Sequence, residues 1–256
     1  MRRAWLVLFL VLAHSATATP AAEPFRVIAN IYSIGVSDAT VFLIATPKGL
    51  VLLNTGAAGE EAKIRANIKK LGFDLGDVKI ILVSQADAAH VGNLYSFRRE
   101  TGARLMVSDA DARLLIHPVE KFPAPVIDQT IADGDHVAIG GLIFTAHVTP
   151  GSTPGCTTWT TTVRWERKPF AVVFACDPTL PAALKLGEDS RATYRHTFEV
   201  FRTMQPDVFL AARGSLFDFE GKAAKRTEKG TNPFVDRDGW KKFVDETEAR
   251  FNASQK

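Results

Sequence analysis

The segment Val78 to Val83 carries apolar residues at every position but Lys79. A short run of this kind predicts a strand buried on both faces, without the alternation of a half-solvated sheet. Such a strand needs packing layers on either side, so the chain around it must supply helices or a second sheet. It supplies both. Phe25 to Tyr32, Val41 to Thr46 and Leu50 to Leu53 are β-rich runs punctuated by Gly and Asp. Glu60 to Leu71 switches to helical spacing, with Ile64, Ile68 and Leu71 on one face. Glu60 and Glu61 lie in the first turn, Lys69 and Lys70 in the last, and Gly72 stops it. A second helix is expected over Gly92 to Thr101 and a short strand over Arg104 to Val107.

The second half repeats the pattern. Val137 to Ile139 and Leu142 to His147 flank Gly140-Gly141, a hairpin signal. Thr157 to Trp165 and Phe170 to Ala175 form another hairpin around Glu166 to Pro169. A helix from about Arg191 to Met204 leads into the strand Val208 to Ala211. A closing helix puts Trp240, Phe243, Val244, Thr247 and Phe251 on one stripe, which reads as packing. With no low-complexity linker, residues 23–256 read as one domain.

The start of the chain reads as an address. Arg2 and Arg3 precede an apolar stretch, Ala4 to Ala13, too short for a stable span, and Ala16-Thr17-Ala18 supplies a small-residue cleavage pattern. Residues 1–18 are therefore expected to be a signal peptide, cut near 18–22, and the mature protein to be exported to a Gram-negative periplasm without a membrane anchor. The chain has 31 Lys and Arg against 28 Asp and Glu, and losing Arg2 and Arg3 leaves 29 against 28. A near-neutral mature protein gives no reason to expect nucleic acid as partner. Export permits a disulfide between Cys156 and Cys176, but their apolar surroundings suit two buried thiols equally well.

Three polar loops follow strands and can converge on one pocket. The first is Ser84-Gln85-Ala86-Asp87-Ala88-Ala89-His90-Val91-Gly92-Asn93, the second Thr149-Pro150-Gly151-Ser152-Thr153-Pro154-Gly155-Cys156, and the third Leu210-Ala211-Ala212-Arg213-Gly214-Ser215. With these loops, the segments Gly49 to Gly56, Asp133-Gly134-Asp135, Thr145 to Trp159 and Asn232 to Asp236 make the chain resemble the class B, subclass three metallo-β-lactamases from about Val27 to Phe251. The resemblance implies an αββα sandwich, two mixed β-sheets flanked by helices, with a dizinc hydrolytic site at one edge.

The likeness stops at the metal ligands. The family's first loop reads His-x-His-x-Asp-His, and its positions here are Gln85, Asp87, Ala89 and His90. The histidine of the family's second loop is Ser152 here, that of the third is Arg213, and an early aspartate is Asn54. Zinc takes imidazole, thiolate or carboxylate ligands, commonly about four donors with water. Alanine offers none, and arginine is a permanent cation. An arginine here is expected to pair with Asp87 or Asp177, filling the space of the metals.

The leading expectation is an atypical or inactive homologue with no cofactor, whose pocket takes a small molecule or serves a partner. One alternative is an active β-lactam hydrolase using a single weakly held zinc at His90 and Asp87. Another is a metal-free hydrolase in which Ser152, His90 and Asp87 act as a nucleophilic triad. His117, His136, His147 and His196 read as surface or packing residues, His136 in a turn. Ser215, Asp109 and Asp111 read as capping or solvated-face groups, and Trp159 and Phe174 as core.

Overall fold

A computed structural model describes residues 23–35, 37–117, 123–180, 187–227 and 231–255. The expected signal peptide lies outside them. Among the described residues no helix is long and apolar enough to cross a membrane.

Seven strands form the first sheet in sequence order: β1 (Phe25–Ile28), β2 (Ile31–Ser33), β3 (Phe42–Thr46), β4 (Gly49–Leu53), β5 (Val78–Leu82), β6 (Arg104–Ser108) and β7 (Gln129–Ile131). The pairs from β1 to β4 are antiparallel and those from β4 to β7 parallel. The second sheet runs β12-β11-β10-β9-β8, with β8 (His136–Ile139), β9 (Leu142–Val148), β10 (Thr157–Trp165), β11 (Lys168–Ala175) and β12 (Val208–Ala211). Only its β11–β12 pair is parallel.

The expected double burial of β5 is visible residue by residue. Ile80 and Leu82 join the core between the sheets, while Ile81 faces a second core on the other side. That second core is closed by α1 (Glu61–Lys70), α3 (Leu94–Thr101) and α4 (Asp109–Ile116), through Ile64, Ile68, Phe97 and Leu115. The short α2 (Ala88–Val91) precedes α3. The outer face of β11 and β12 carries α5 (Glu188–Thr203) and α7 (Arg237–Ser254), joined by an aromatic cluster of Phe201, Phe209, Trp240 and Phe243. Between β12 and α7 lies α6 (Phe219–Ala224). These layers are the αββα sandwich.

Several elements differ from the sequence reading. The run Phe25 to Tyr32 is two strands, because Ala29 turns the chain with φ 48°. The β10–β11 turn is only Glu166-Arg167, both at positive φ, so β11 begins at Lys168. His136 opens β8. The helix α4 and the edge strand β7 are additional elements. The stripe on α7 is buried as expected, and Trp159 and Phe174 are core. Trp159 also donates its indole N–H to the Val83 carbonyl at 3.1 Å, tying β10 to the end of β5.

Cys156 and Cys176 are joined as a disulfide, with Cα atoms 5.8 Å apart. It links the end of the second polar loop, before β10, to the residue after β11. A crosslink over a sequence separation of 20 residues stabilises by roughly 3 kcal/mol, largely through the unfolded chain. The double variant Cys156→Ser/Cys176→Ser should lose about that amount in urea unfolding, with an unchanged far-UV spectrum. Equal midpoints for both proteins would show that the bridge contributes nothing.

Candidate functional site

The three loops meet at one edge of the sandwich, and each is fixed by its own backbone logic. The first leaves β5 at Ser84, whose amide and hydroxyl both donate to Asn54 Oδ1, at 2.9 and 3.0 Å. Asn54 sits at φ 63°, a conformation Asn tolerates better than most residues. Its amide supplies the acceptor that Ser84 needs. Asp87 then caps α2, accepting from the His90 amide at 3.1 Å.

The second loop is nested too closely for side chains at its glycines. A Cβ on Gly151 would lie 2.1 Å from the Asp177 carbonyl, and one on Gly155 2.1 Å from Ser108 Oγ. The third loop leaves β12 extended, and Arg213 is held by a bridge to Ala39 and by the bond from the Gly214 amide to the Asp38 carbonyl, 2.7 Å.

One buried group ties two of these loops together. Asp111, on α4, accepts from the Ala86 amide at 2.7 Å, the Thr153 hydroxyl at 2.8 Å and the Gly155 amide at 2.8 Å. It is 1% exposed, which corrects the solvated-face reading. Burial pushes its carboxyl above the usual range, and these three donors partly oppose that shift. Nothing in the local sequence distinguishes it from Asp109, which is exposed and pairs with Arg113. Ser215 donates its amide and hydroxyl to Asp38, at 2.7 and 3.2 Å.

At the centre, Asp87 is fully engaged. Its Oδ1 faces His90 Nδ1 at 2.5 Å, and its Oδ2 accepts from Gln85 Nε2 at 2.7 Å and Arg213 Nη2 at 3.5 Å. Burial raises the Asp87 carboxyl, but the hydrogen bond and charge of His90, then Gln85 and Arg213, outweigh it and hold the group below the usual carboxylate range. Arg213 Nε donates to Asp177 Oδ2 at 2.9 Å, and its Nη1 lies 3.9 Å from Asp38. Gln85 links the two acids, because its Oε1 accepts from the Asp177 amide at 3.1 Å. His90 is fully buried, and its Nε2 lies 2.9 Å from the Ala212 carbonyl.

This donor set does not fit a zinc centre. The Ala212 carbonyl can only accept, so His90 Nε2 must carry a proton there and has no lone pair for a metal. His90 Nδ1 is turned to Asp87. Ala89 has no donor atom, and the Arg213 cation stands among the carboxylates. Among the described residues no group of three or more His, Cys, Asp or Glu is arranged to hold a metal ion. The parts of a triad are also separate. Ser152 donates its amide to the Asp177 carbonyl at 2.9 Å, its hydroxyl lies 3.9 Å from Cys156 Sγ, and among the described residues it makes no bond to His90.

Comparison with known proteins agrees with the architecture. Residues 34–162 match the model of the metallo-beta-lactamase superfamily. BJP-1, a subclass B3 metallo-beta-lactamase of Bradyrhizobium japonicum, is similar at 32% identity over 91% of this chain and 93% of its own, with a TM-score of 0.84. FEZ-1 from Legionella gormanii is 31% identical over 91% and 95%, with a TM-score of 0.85. A Cronobacter sakazakii metallo-beta-lactamase described by a HARLDQ motif is 26% identical over 91% and 88%, also at 0.85.

Two substitutions test how the site is held. Asp111→Ala strands the Ala86 and Gly155 amides, each at a cost of about 1–3 kcal/mol, and should lower unfolding free energy by roughly 2–4 kcal/mol in denaturant titration. The second is Asp87→Asn. The folded Asp87 carboxyl titrates below its unfolded value, so its contribution is present above the unfolded pKa and is lost as pH falls through the folded one. The stability gap between wild type and Asp87→Asn should be full above roughly pH 5 and shrink towards acid. A gap that is flat with pH would contradict the ionised pairing.

Proposed function

Because the chain belongs to the metallo-β-lactamase superfamily, we propose that its function departs from that family's chemistry at one place. A network of its own side chains stands in for the dizinc centre, leaving little or no metal-dependent β-lactam hydrolysis. The observation that carries this reading is the position of Arg213, with Asp177 at 2.9 Å and Asp87 at 3.5 Å. Metal-assisted hydrolysis needs cations that lower the pKa of a bound water and polarise a carbonyl. Arg213 supplies positive charge but generates no hydroxide, and its donors already face carboxylates.

The pocket's electrostatics support the same reading. Asp38, Asp87 and Asp177 surround a single guanidinium, and among the described residues His90 is the one further basic group in contact with them. Carboxylates in this excess disfavour an anionic substrate. Any ligand taken up at this edge of the sandwich is then a small neutral or cationic molecule, in an exported protein. The Cys156–Cys176 bridge suits an oxidising compartment such as the periplasm.

The competing reading, an enzyme with one weakly held zinc, draws on the Cronobacter protein, whose HARLDQ motif also departs from the family's His-x-His-x-Asp-His pattern. That motif keeps its first histidine and its aspartate. This chain has Gln85 and Ala89 at those positions.

Metal analysis after purification with zinc, combined with nitrocefin turnover with and without chelator, separates the two readings. The expected result is less than about 0.2 zinc per chain and no chelator-sensitive turnover. About one or two zinc ions per chain with turnover abolished by chelator would overturn the proposed function.

A further inference from the structure

Loss of donors alone does not explain why this pocket should refuse a metal. Asp38, Asp87 and Asp177 each approach Arg213, and carboxylates are ligands for both zinc and harder divalent ions. What stands among them is a guanidinium. Nε and Nη2 lie on one edge of that planar group, and through this edge Arg213 meets Asp177 and Asp87 side by side. Nη1 reaches towards Asp38 on the other side.

Resting on the proposed function, we propose that Arg213 is a built-in cation that closes this pocket to divalent metals and is the residue that decides the metal-free state. Two features make the closure permanent. Arginine does not release its proton in a protein, so no change of pH in the ordinary range vacates the position. The backbone at Arg213 is also held, by the Ala39 bridge and the Gly214–Asp38 bond, so the side chain has a fixed root. Asp87 and Asp177 are pre-positioned in turn by Gln85, which donates to one and accepts from the amide of the other. Removing the cation takes the ion-pair partner from the buried Asp177 and leaves Asp87 with His90, a loss of positive charge that a metal ion relieves.

Arg213→His, Arg213→Lys and Ala89→Asp separate the effect of the charge from the effect of donor number. Zinc affinity is read by competition with a chromophoric chelator, and folding by circular dichroism. Arg213→His replaces the cation with an imidazole beside Asp87 and Asp177, and should take up about one zinc with affinity at least roughly 100-fold above wild type. Arg213→Lys keeps the charge and should stay metal-free. Ala89→Asp adds a ligand with Arg213 in place and should also stay metal-free. If Arg213→His is unfolded without metal, zinc should restore its fold.

A folded Arg213→His protein with wild-type zinc affinity, or an unfolded one that zinc does not restore, overturns the inference. Zinc uptake by Arg213→Lys or by Ala89→Asp does so too. Each of these results leaves the proposed function standing if the wild type is metal-free, whereas zinc-dependent turnover by the wild type sinks that function first.

Discussion

A guanidinium between carboxylates is the interaction on which the pocket depends. Arg213 balances Asp177 directly and Asp87 in part. Asp87 in turn orients His90, caps α2 and accepts from Gln85. Burying any of these groups alone would be costly, and each is tolerated because a partner accompanies it. The family architecture places its chemistry where three loops leave the sheet ends, and this chain keeps those loops while filling the space among them with its own charges.

The scaffold beneath the loops does not use that charge network. Asp111 gathers the first two loops by three hydrogen bonds, Asn54 fixes the start of the first, and the disulfide fastens the second to the residue before Asp177. These supports consist of amides, hydroxyls, a buried acid and a covalent bond. None needs an ion.

Much of the sandwich was legible in the sequence, for reasons that can be located. The Val78–Val83 run announced a strand buried on both faces, and Gly140-Gly141 announced the β8–β9 hairpin. The β10–β11 turn is tighter than its sequence suggests, because Glu166-Arg167 adopts positive φ without the usual glycine or asparagine. Ala29 hid the break between β1 and β2 in the same way. At the site, charge chemistry pointed from Arg213 towards Asp87 and Asp177, since an unpaired arginine in a pocket demands an acid. Asp111 was illegible because its importance lies in burial, and its neighbour Asp109 has the same chemistry on an exposed face. Hydrogen-bond direction at His90 was equally out of reach, since it depends on a carbonyl 122 residues away in sequence.

The supports around the second loop bear on how such a chain can change over generations. In proteins whose folding is driven by a metal, replacing a ligand removes the fold along with the activity. Here Gly151 and Gly155 let the loop nest against its neighbours, and the Cys156–Cys176 bridge holds it there. Ser152 therefore occupies a position whose backbone is already paid for. Residues at such positions are free to drift, because exchanging them alters what the pocket recognises without endangering the body that carries it.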